Sequence, residues 1–291
     1  LCLVLLRFIQ GLAVGGQWGG AMLLVTESAP ADKRGWYGAY AQAGAPMGVI
    51  LANLAFISVS ASMSDEAFLA WGWRLPFIAS ILLIAISLYI QLRMEDTEAF
   101  KALQAEQAAS SQQAVAERSP VFEAMRRYPR RILLAAGAFL SVQVTFYILI
   151  AFVIAYGLNS PTVDLTRDEL LVSVLVAAAI MMPAQFYFSG LSDRVGRKQI
   201  YRWGAILTGI WGFAIFPLVD TGMPIMITLA VTMGMVLLGM QYGPQAAYFT
   251  ELFATEVRYS GASLGYQIGA ILGGALAPTI AVLLWQELGI I

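Results

Sequence analysis

The sequence predicts an all-α, polytopic membrane protein, and three observations lead to this fold class. Hydrophobic residues make up 59% of the 291 residues, charged residues only 12%, and the mean hydropathy is +0.73. A typical soluble domain has about 45–50% apolar and about 25% charged residues. The apolar residues form runs long enough to cross about 30 Å of hydrocarbon as helices. These runs do not alternate with period two, as the strands of a membrane barrel would.

The composition also excludes several classes of function. A net charge of −1 gives no indication of a nucleic-acid partner. The chain has one Cys and no His, which excludes a disulfide framework, a Cys/His metal site and His-based catalysis within this sequence. Few carboxylates lie in the apolar runs, so no acid–base set of an enzyme is expected. We expect no cofactor and no enzyme activity, contact with the lipid bilayer, and no obligate protein partner.

A window of about 20 apolar residues defines the predicted spans. There are eight of them, at residues 1–29, 37–59, 75–92, 132–155, 170–188, 203–219, 224–250 and 261–285. The chain begins at Leu1 within the first of these runs and lacks the positive segment and cleavage site of a signal peptide. We therefore expect that the start of the protein lies upstream.

The cations between the spans predict the orientation. Fourteen of the seventeen Lys and Arg residues lie in one alternate set of connections, whereas the other set carries only Arg74 and Arg167. Arg7 lies inside the first span. Since cytoplasmic loops are enriched in Lys and Arg, the cation-rich side is predicted to be cytoplasmic. The first span then runs from outside to inside, in a multi-pass membrane protein.

The polar segment 93–131 predicts a division into two bundles. It is rich in Ala, Gln, Glu and Ser, which favour a solvated helix or a flexible linker. We interpret it as a cytoplasmic linker between a first bundle, 1–92, with three spans and a second bundle, 132–291, with five. A loop that only tethers the two is the alternative.

An internal repeat relates the two predicted bundles. A shift of 224 residues superposes six identities within 20 positions and places the first span on the seventh. The pairs are Gly15 and Gly239, Gln17 and Gln241, Gly19 and Gly243, Thr26 and Thr250, Glu27 and Glu251, and Arg34 and Arg258. A repeat unit of six spans follows. We therefore expect three spans before the first residue and one after the last, in a twelve-span protein.

A second motif lies after the fifth predicted span, in the predicted loop 189–202. Its glycines allow a tight cytoplasmic turn. Asp193 is expected to accept hydrogen bonds at a helix start or to pair with a neighbouring Arg. A set of cations that only anchors the helix ends is the alternative. The motif consists of Gly190, Asp193, Arg194, Gly196, Arg197 and Lys198.

Together with the six-span repeat, this motif resembles the cytoplasmic Gly/Asp/Gly-Arg-Lys signature of the major facilitator superfamily, which lies between the second and third spans of each half. The resemblance implies the major facilitator fold, with two six-helix bundles of which about eight helices are present. It also implies that the loop forms part of an intracellular gate, to which we assign Gly190, Asp193, Arg194, Gly196 and Arg197.

Three further segments resemble the metabolite:proton symporter group of this superfamily, which imports shikimate, 2-oxoglutarate, citrate, or proline and betaine. They are RFIQGLAVGGQWGG (7–20), GPQAAYFTELF (243–253) and RYSGAS (258–263). The resemblance implies proton symport of a small carboxylate or zwitterion by alternating access. Relatives typically carry Glu where this chain has Gln17, and an amide carries neither a proton nor a charge at neutral pH. A uniporter or exporter of the same fold, or a non-transporting membrane sensor, therefore stays an alternative.

The repeat-related acids and arginines complete the predicted gate. Glu27, Arg34, Glu251 and Arg258 lie at the cytoplasmic ends of equivalent spans, where an acid–Arg pair can close one state and separate in the other. A screened interfacial pair of little energetic value is the alternative.

Polar residues at membrane depth are predicted to line the substrate and proton pathway. Arg7 with Gln10 and Gly11 resembles the fourth-span motif of proton-linked members of the superfamily, and snorkelling of Arg7 to the interface is the alternative. For the other predicted pathway residues, the alternative is that their side chains form hydrogen bonds between helices. The predicted pathway residues are Arg7, Gln10, Gln17, Gln143, Tyr147, Gln241 and Gln245.

Overall fold

The computed structural model describes residues 4–6, 9–11, 17–93, 120–161, 163–254 and 257–288. The elements of this part of the chain are all helical. The helices are α1 (Gln17–Glu27), α2 (Arg34–Ala61), α3 (Asp65–Ala70), α4 (Leu75–Arg93), α5 (Pro120–Arg127), α6 (Pro129–Asn159), α7 (Arg167–Val195), α8 (Arg197–Val219), α9 (Pro224–Thr250) and α10 (Arg258–Glu287). Helices α6 and α10 each contain one π-helical turn, at Ile148–Phe152 and Ile271–Ala275.

Seven helices in the described ranges are long and apolar enough to cross a membrane. They correspond to the second to eighth predicted spans, so the all-α, multi-pass membrane fold is confirmed. The bounds of α9 coincide with the predicted span 224–250. The first predicted span lies partly outside the described residues, and its described part contains α1.

The predicted loop 189–202 is wrong as a loop, because it is helical except at one residue. Helix α7 continues through Asp193 and Arg194 and ends at Val195, and α8 begins at Arg197. Gly196 alone separates them, with φ 101° and ψ 135°. This positive φ is open to glycine at little cost and strained for other residues. The helices are longer than the predicted spans because their charged ends stay helical beyond the hydrocarbon of the bilayer.

Local signals account for several helix starts. The side chain of Thr166 accepts a hydrogen bond from the backbone N–H of Glu169, whose carboxylate accepts one from the N–H of Thr166. This is a capping box, and it starts α7. Helices α6 and α9 begin with Pro129 and Pro224, at the position where a missing N–H costs nothing.

The predicted linker 93–131 is described only in part. Residues 94–119 lie outside the described residues. Pro120–Arg127 forms the short helix α5, and residues 129–131 belong to the first turn of α6. The two predicted bundles therefore stay a prediction, with the first helix of the second bundle starting three residues before its predicted span.

Helix α9 is the most deeply buried of the seven spans and lies between α7 and α8. Helix α2 packs against α7 and α9, and α1 contacts α2, α9 and α10. Helix α6 packs against α10, where two α10 glycines spaced four residues apart permit a close approach. A Cβ at Gly265 would lie 2.8 Å from Ala135 Cβ, and one at Gly269 would lie 2.8 Å from the Ala136 carbonyl.

Candidate functional site

Asp193, in the last turn of α7, caps the first turn of α2. Its Oδ1 accepts a hydrogen bond from the backbone N–H of Gly35 at 2.8 Å, and its Oδ2 accepts one from that of Trp36 at 2.9 Å. The first N–H groups of a helix have no partner within the helix, and the helix dipole favours a negative charge there. Only 7% of the Asp193 side chain is exposed. This contact joins α2 of the first predicted bundle to α7 of the second.

Arg197, in the first turn of α8, lies between two carboxylates. Its Nη2 is 3.1 Å from Asp193 Oδ1, and its Nε is 2.8 Å from Glu251 Oε1. The Arg197 side chain is 13% exposed, so water screens these charges only in part. Asp193 thus makes both contacts expected from the sequence, and Arg197 connects it to the end of α9.

A third ion pair joins the end of α1, in the first predicted bundle, to the start of α10, in the second. Arg258 Nη1, at the start of α10, is 3.0 Å from Glu27 Oε1, at the end of α1. The Nε of the same guanidinium donates to the Phe253 carbonyl at 3.2 Å, which fixes its direction. The acid of the first predicted bundle is therefore paired with the arginine of the second, a partner choice that the sequence had left open.

A small cavity of about 40 Å³ lies beside these ion pairs. This volume is enough for ordered water, and its lining is polar. Its six lining residues are the three repeat-related pairs Thr26 and Thr250, Glu27 and Glu251, and Arg34 and Arg258. Equivalent residues of both halves of the repeat thus meet at one point on the cation-rich side. Four residues of the predicted gate come together there, namely Glu27, Arg34, Glu251 and Arg258.

Gly190 and Arg194 lie on the outer side of this cluster. They line a groove of about 550 Å³ with Asp193, Asp32, Lys33 and Trp36. Arg194 is exposed. A Cβ at Gly190 would lie 3.1 Å from the Trp36 ring, so the glycine lets this ring pack against α7.

Burial raises the pKa of the Glu251 carboxyl, and the Asp193 carboxylate acts in the same direction, whereas the guanidinium groups of Arg197 and Arg34 lower it. The net shift is upward. The arrangement in this structure, with Glu251 partly buried, therefore holds a proton on Glu251 more tightly than a hydrated arrangement with an ordinary Glu pKa would.

We expect acidification to favour the closed cytoplasmic end. As the pH falls through the raised pKa of Glu251 towards the ordinary value of about 4.3, the cost of burying its charge disappears from the closed state. Cytoplasmic accessibility of an engineered cysteine, measured against pH, should decrease in this window. Glu251→Gln should remove the dependence. A pH profile that is unchanged in Glu251→Gln contradicts this assignment.

Gln241, on α9, is fully buried and bridges two other helices. Its Oε1 accepts a hydrogen bond from Ser141 Oγ of α6 at 2.6 Å, and its Nε2 donates to Thr208 Oγ1 of α8 at 3.0 Å. In this conformation the amide joins three helices of the second predicted bundle. Its predicted place in the transport pathway stays a prediction.

Gln245, one turn further along α9, belongs to a buried hydrogen-bond chain that crosses between the bundles. Gln42 Nε2 of α2 donates to the Tyr242 carbonyl at 2.9 Å and lies 3.4 Å from Gln245 Oε1. Trp18 Nε1 of α1 donates to Gln42 Oε1 at 2.9 Å. Gln245 Nε2 in turn approaches the Tyr201 hydroxyl of α8 at 3.4 Å. Every polar atom of the Gln42 amide thus faces a partner.

The other predicted pathway residues lie apart from this chain. Gln143 and Tyr147 are half-buried on α6, next to glycines of α10. Gln10 and Gln17 are exposed, and Gln17 lines an apolar groove of about 550 Å³ between α1, α2 and α4. Arg7 lies outside the described residues.

Gln42 and Trp18 were not predicted as site residues. Gln42 is fully buried within the second predicted span, and the criterion of a polar residue at membrane depth, which was applied to Gln143, would have found it. The Trp18 ring stacks on Tyr266 of α10 with ring centroids 4.3 Å apart and an interplanar angle of 21°. A sequence signal for Trp18 was its alignment with Tyr242 in the repeat, because both positions place an aromatic ring beside a glycine.

Known proteins resemble this chain over nearly all of its length. The family model described as Major Facilitator Superfamily matches residues 2–278. An inner membrane metabolite transport protein of Escherichia coli is 37% identical over 298 residues, which cover 100% of this chain and 65% of that protein. The shikimate transporter of the same organism is 35% identical over 285 residues, which cover 98% and 64%. A proline/betaine transporter of Salmonella typhimurium is 28% identical over 292 residues, which cover 99% and 57%.

The chain therefore spans about two thirds or less of the length of these relatives. The family match extends over nearly all of the chain, and the all-helical fold with its seven membrane-length helices in the described residues agrees with it. The chain belongs to the major facilitator superfamily.

Proposed function

We propose that the encoded protein is a secondary active transporter of the bacterial inner membrane that imports a small carboxylate or zwitterion by proton symport. The observation that carries this proposal is the set of contacts between the two predicted bundles at the cation-rich end. Asp193 caps α2, and Glu27 pairs with Arg258 at 3.0 Å. Such contacts form one side of a two-state element, closed here and separated when the bundles rock.

The names of the relatives support the substrate class. Shikimate is a carboxylate, and proline and betaine are zwitterions, so a carboxylate group is common to all three. Tyrosine and glutamine donors such as those on α6 and α9 suit a carboxylate held near the midplane. The substrate would reach the cytoplasm when the cluster of ion pairs opens.

Proton coupling is the finer part of the proposal. In the described spans, carboxylates occur only within the first or last turns, so a proton carried by this part of the chain would use the gate carboxylates. The raised pKa of Glu251 supports such a role, because opening and hydration would release its proton towards the cytoplasm. The neutral Gln17 favours the alternative of a uniporter or exporter.

Uptake of radiolabelled shikimate, proline and betaine into cells that express the complete encoded protein tests this function. We expect accumulation of one of them that a protonophore abolishes. Uptake that is unchanged by the protonophore overturns symport and supports the uniporter. Binding without any transport supports the membrane sensor.

Charge exchange tests the ion pair. Glu27→Arg or Arg258→Glu alone should lower uptake about tenfold or more, because each leaves two like charges in a part-buried site. The double variant should recover much of the uptake. Glu123→Arg is a matched control, since the Glu123–Arg127 pair on α5 is exposed and worth little. A double variant no better than the singles contradicts a direct Glu27–Arg258 latch.

A further inference from the structure

A polar stripe on α7 is not explained by the gate. Gln185, Ser189 and Ser192 lie at positions i, i+4 and i+7, on one face of the helix, and all three are fully buried. Asp193 continues this face to the cytoplasmic end. Tyr187, between the first two in sequence, is 63% exposed and marks the opposite, lipid-facing side. The stripe thus runs from membrane depth to the closed gate.

Polar atoms of this stripe are unsatisfied in the closed arrangement. Gln185 Nε2, Gln185 Oε1 and Ser189 Oγ are buried and have no hydrogen-bond partner in the described part of the chain. Ser192 Oγ only donates back to the carbonyl of Ser189 at 2.6 Å. Most buried polar groups in proteins are paired, and an unpaired amide in the dry interior disfavours the state that contains it. A second state in which these groups meet partners would account for them.

Backbone of the facing helices covers the stripe. A Cβ at Gly243 of α9 would lie 2.5 Å from both the Gln185 carbonyl and Ser189 Oγ. A Cβ at Gly35 of α2 would lie 2.7 Å from the Ser189 carbonyl and 2.9 Å from Ser192 Oγ. Helix α9 stays with α7 in the second predicted bundle, whereas α2 belongs to the first. Separation of the bundles at this end therefore uncovers the stripe on the α2 side.

We propose that Gln185, Ser189 and Ser192 line the cytoplasmic half of the transport pathway. This inference rests on the proposed function, because it requires α2 to move away from α7. In the open state the amide of Gln185 and the hydroxyls hydrogen-bond to water and to the polar groups of the departing solute. The residues thus form a hydrated exit wall, and their dehydration in the closed state favours opening.

Cysteine labelling of the complete protein in inside-out vesicles tests the proposal. Ser189→Cys and Gln185→Cys are made in a cysteine-free background, and labelling by a membrane-impermeant, cationic thiol reagent is compared with and without Asp193→Ala, which removes the helix cap. We expect labelling of both positions to become about thirtyfold faster with the gate weakened, the change that loss of a charged helix cap worth about 2 kcal/mol gives. Tyr187→Cys, on the lipid side of the same helix, should label slowly in both backgrounds.

A cross-link across the gate separates the two ways in which this test can fail. A short bifunctional thiol reagent joins Glu27→Cys to Arg258→Cys only while the gate is closed, so loss of cross-linking reports opening. If cross-linking falls and Ser189→Cys stays unlabelled, the exit wall is overturned while alternating access stands. If cross-linking persists under every condition, the proposed function itself fails and this inference with it.

A second variant checks the unpaired amide without introducing a thiol there. Gln185→Leu replaces the amide with an apolar group of similar length, so the closed interface no longer holds an unsatisfied donor and acceptor. Labelling at Ser192→Cys should become slower and transport should slow with it. Unchanged labelling in Gln185→Leu, with the protein folded, contradicts the hydrated exit wall.

Discussion

Replacing Asp193 with alanine is expected to open the cytoplasmic end and to abolish accumulation of substrate. The change removes both acceptors of the Gly35 and Trp36 N–H groups and one of the two carboxylates that Arg197 contacts. A carboxylate at a part-buried helix terminus contributes up to about 2 kcal/mol. The ratio of closed to open protein should therefore fall about thirtyfold. Cysteine accessibility at the gate and radiolabelled uptake measure the two effects.

Two control variants distinguish the effect of the Asp193 helix cap from the effect of its charge. Asp193→Asn keeps a hydrogen-bond acceptor for the first turn of α2 but loses the charge that faces Arg197. We therefore expect an intermediate change in the ratio of closed to open protein. Asp32→Ala removes an exposed acid that lines the neighbouring groove and should have little effect on either measurement. If Asp193→Ala and Asp32→Ala behave alike, the cap on α2 does not hold the gate closed.

Hydropathy and charge were sufficient to predict the spans, because the bilayer imposes both a helix length and a charge bias on the sequence. Helix α9 illustrates this, since its bounds coincide with the predicted span. The 189–202 region illustrates the limit. Charged residues there end the apolar run but continue the helix into the interface, and only the backbone geometry of Gly196 shows where the chain turns.

The candidate site was predicted in its residue types but not in its pairing. The repeat indicated that Glu27, Arg34, Glu251 and Arg258 occupy equivalent places, and they line one cavity. That Glu27 pairs with Arg258 depends on contacts 231 residues apart, and no local pattern encodes such a choice. The same holds for Gln42, whose partner carbonyl lies 200 residues away. A single sequence identifies polar residues at membrane depth, whereas packing decides which of them meet.

Gly35→Ala is also expected to have a large effect, because the first turn of α2 lies against α7 with no room for a methyl group. The new Cβ would lie 2.7 Å from the Ser189 carbonyl, 2.8 Å from Asp193 Oδ1 and 2.9 Å from Ser192 Oγ. The nearest of these atoms belongs to helix backbone, which cannot rotate away as a flexible side chain would. The helices must move apart, and overpacking of this kind costs about 1–3 kcal/mol.

The same helix offers a matched control for this substitution. A Cβ at Gly44 meets no atom within 4 Å among the described residues, and alanine is the better helix former by about 1 kcal/mol. Gly44→Ala should therefore leave gate accessibility and uptake unchanged, whereas Gly35→Ala should raise accessibility at Ser192→Cys and lower uptake about tenfold. Equal behaviour of the two variants would mean that α2 can slide along α7 at small cost.

The Asp193 cap and the Gly35 contact fix the same turn of α2. We therefore expect the effects of Asp193→Ala and Gly35→Ala on gate accessibility to be non-additive. If the free-energy change of gate opening in the double variant equals the sum of the two single changes, the two contacts belong to separate elements of the gate.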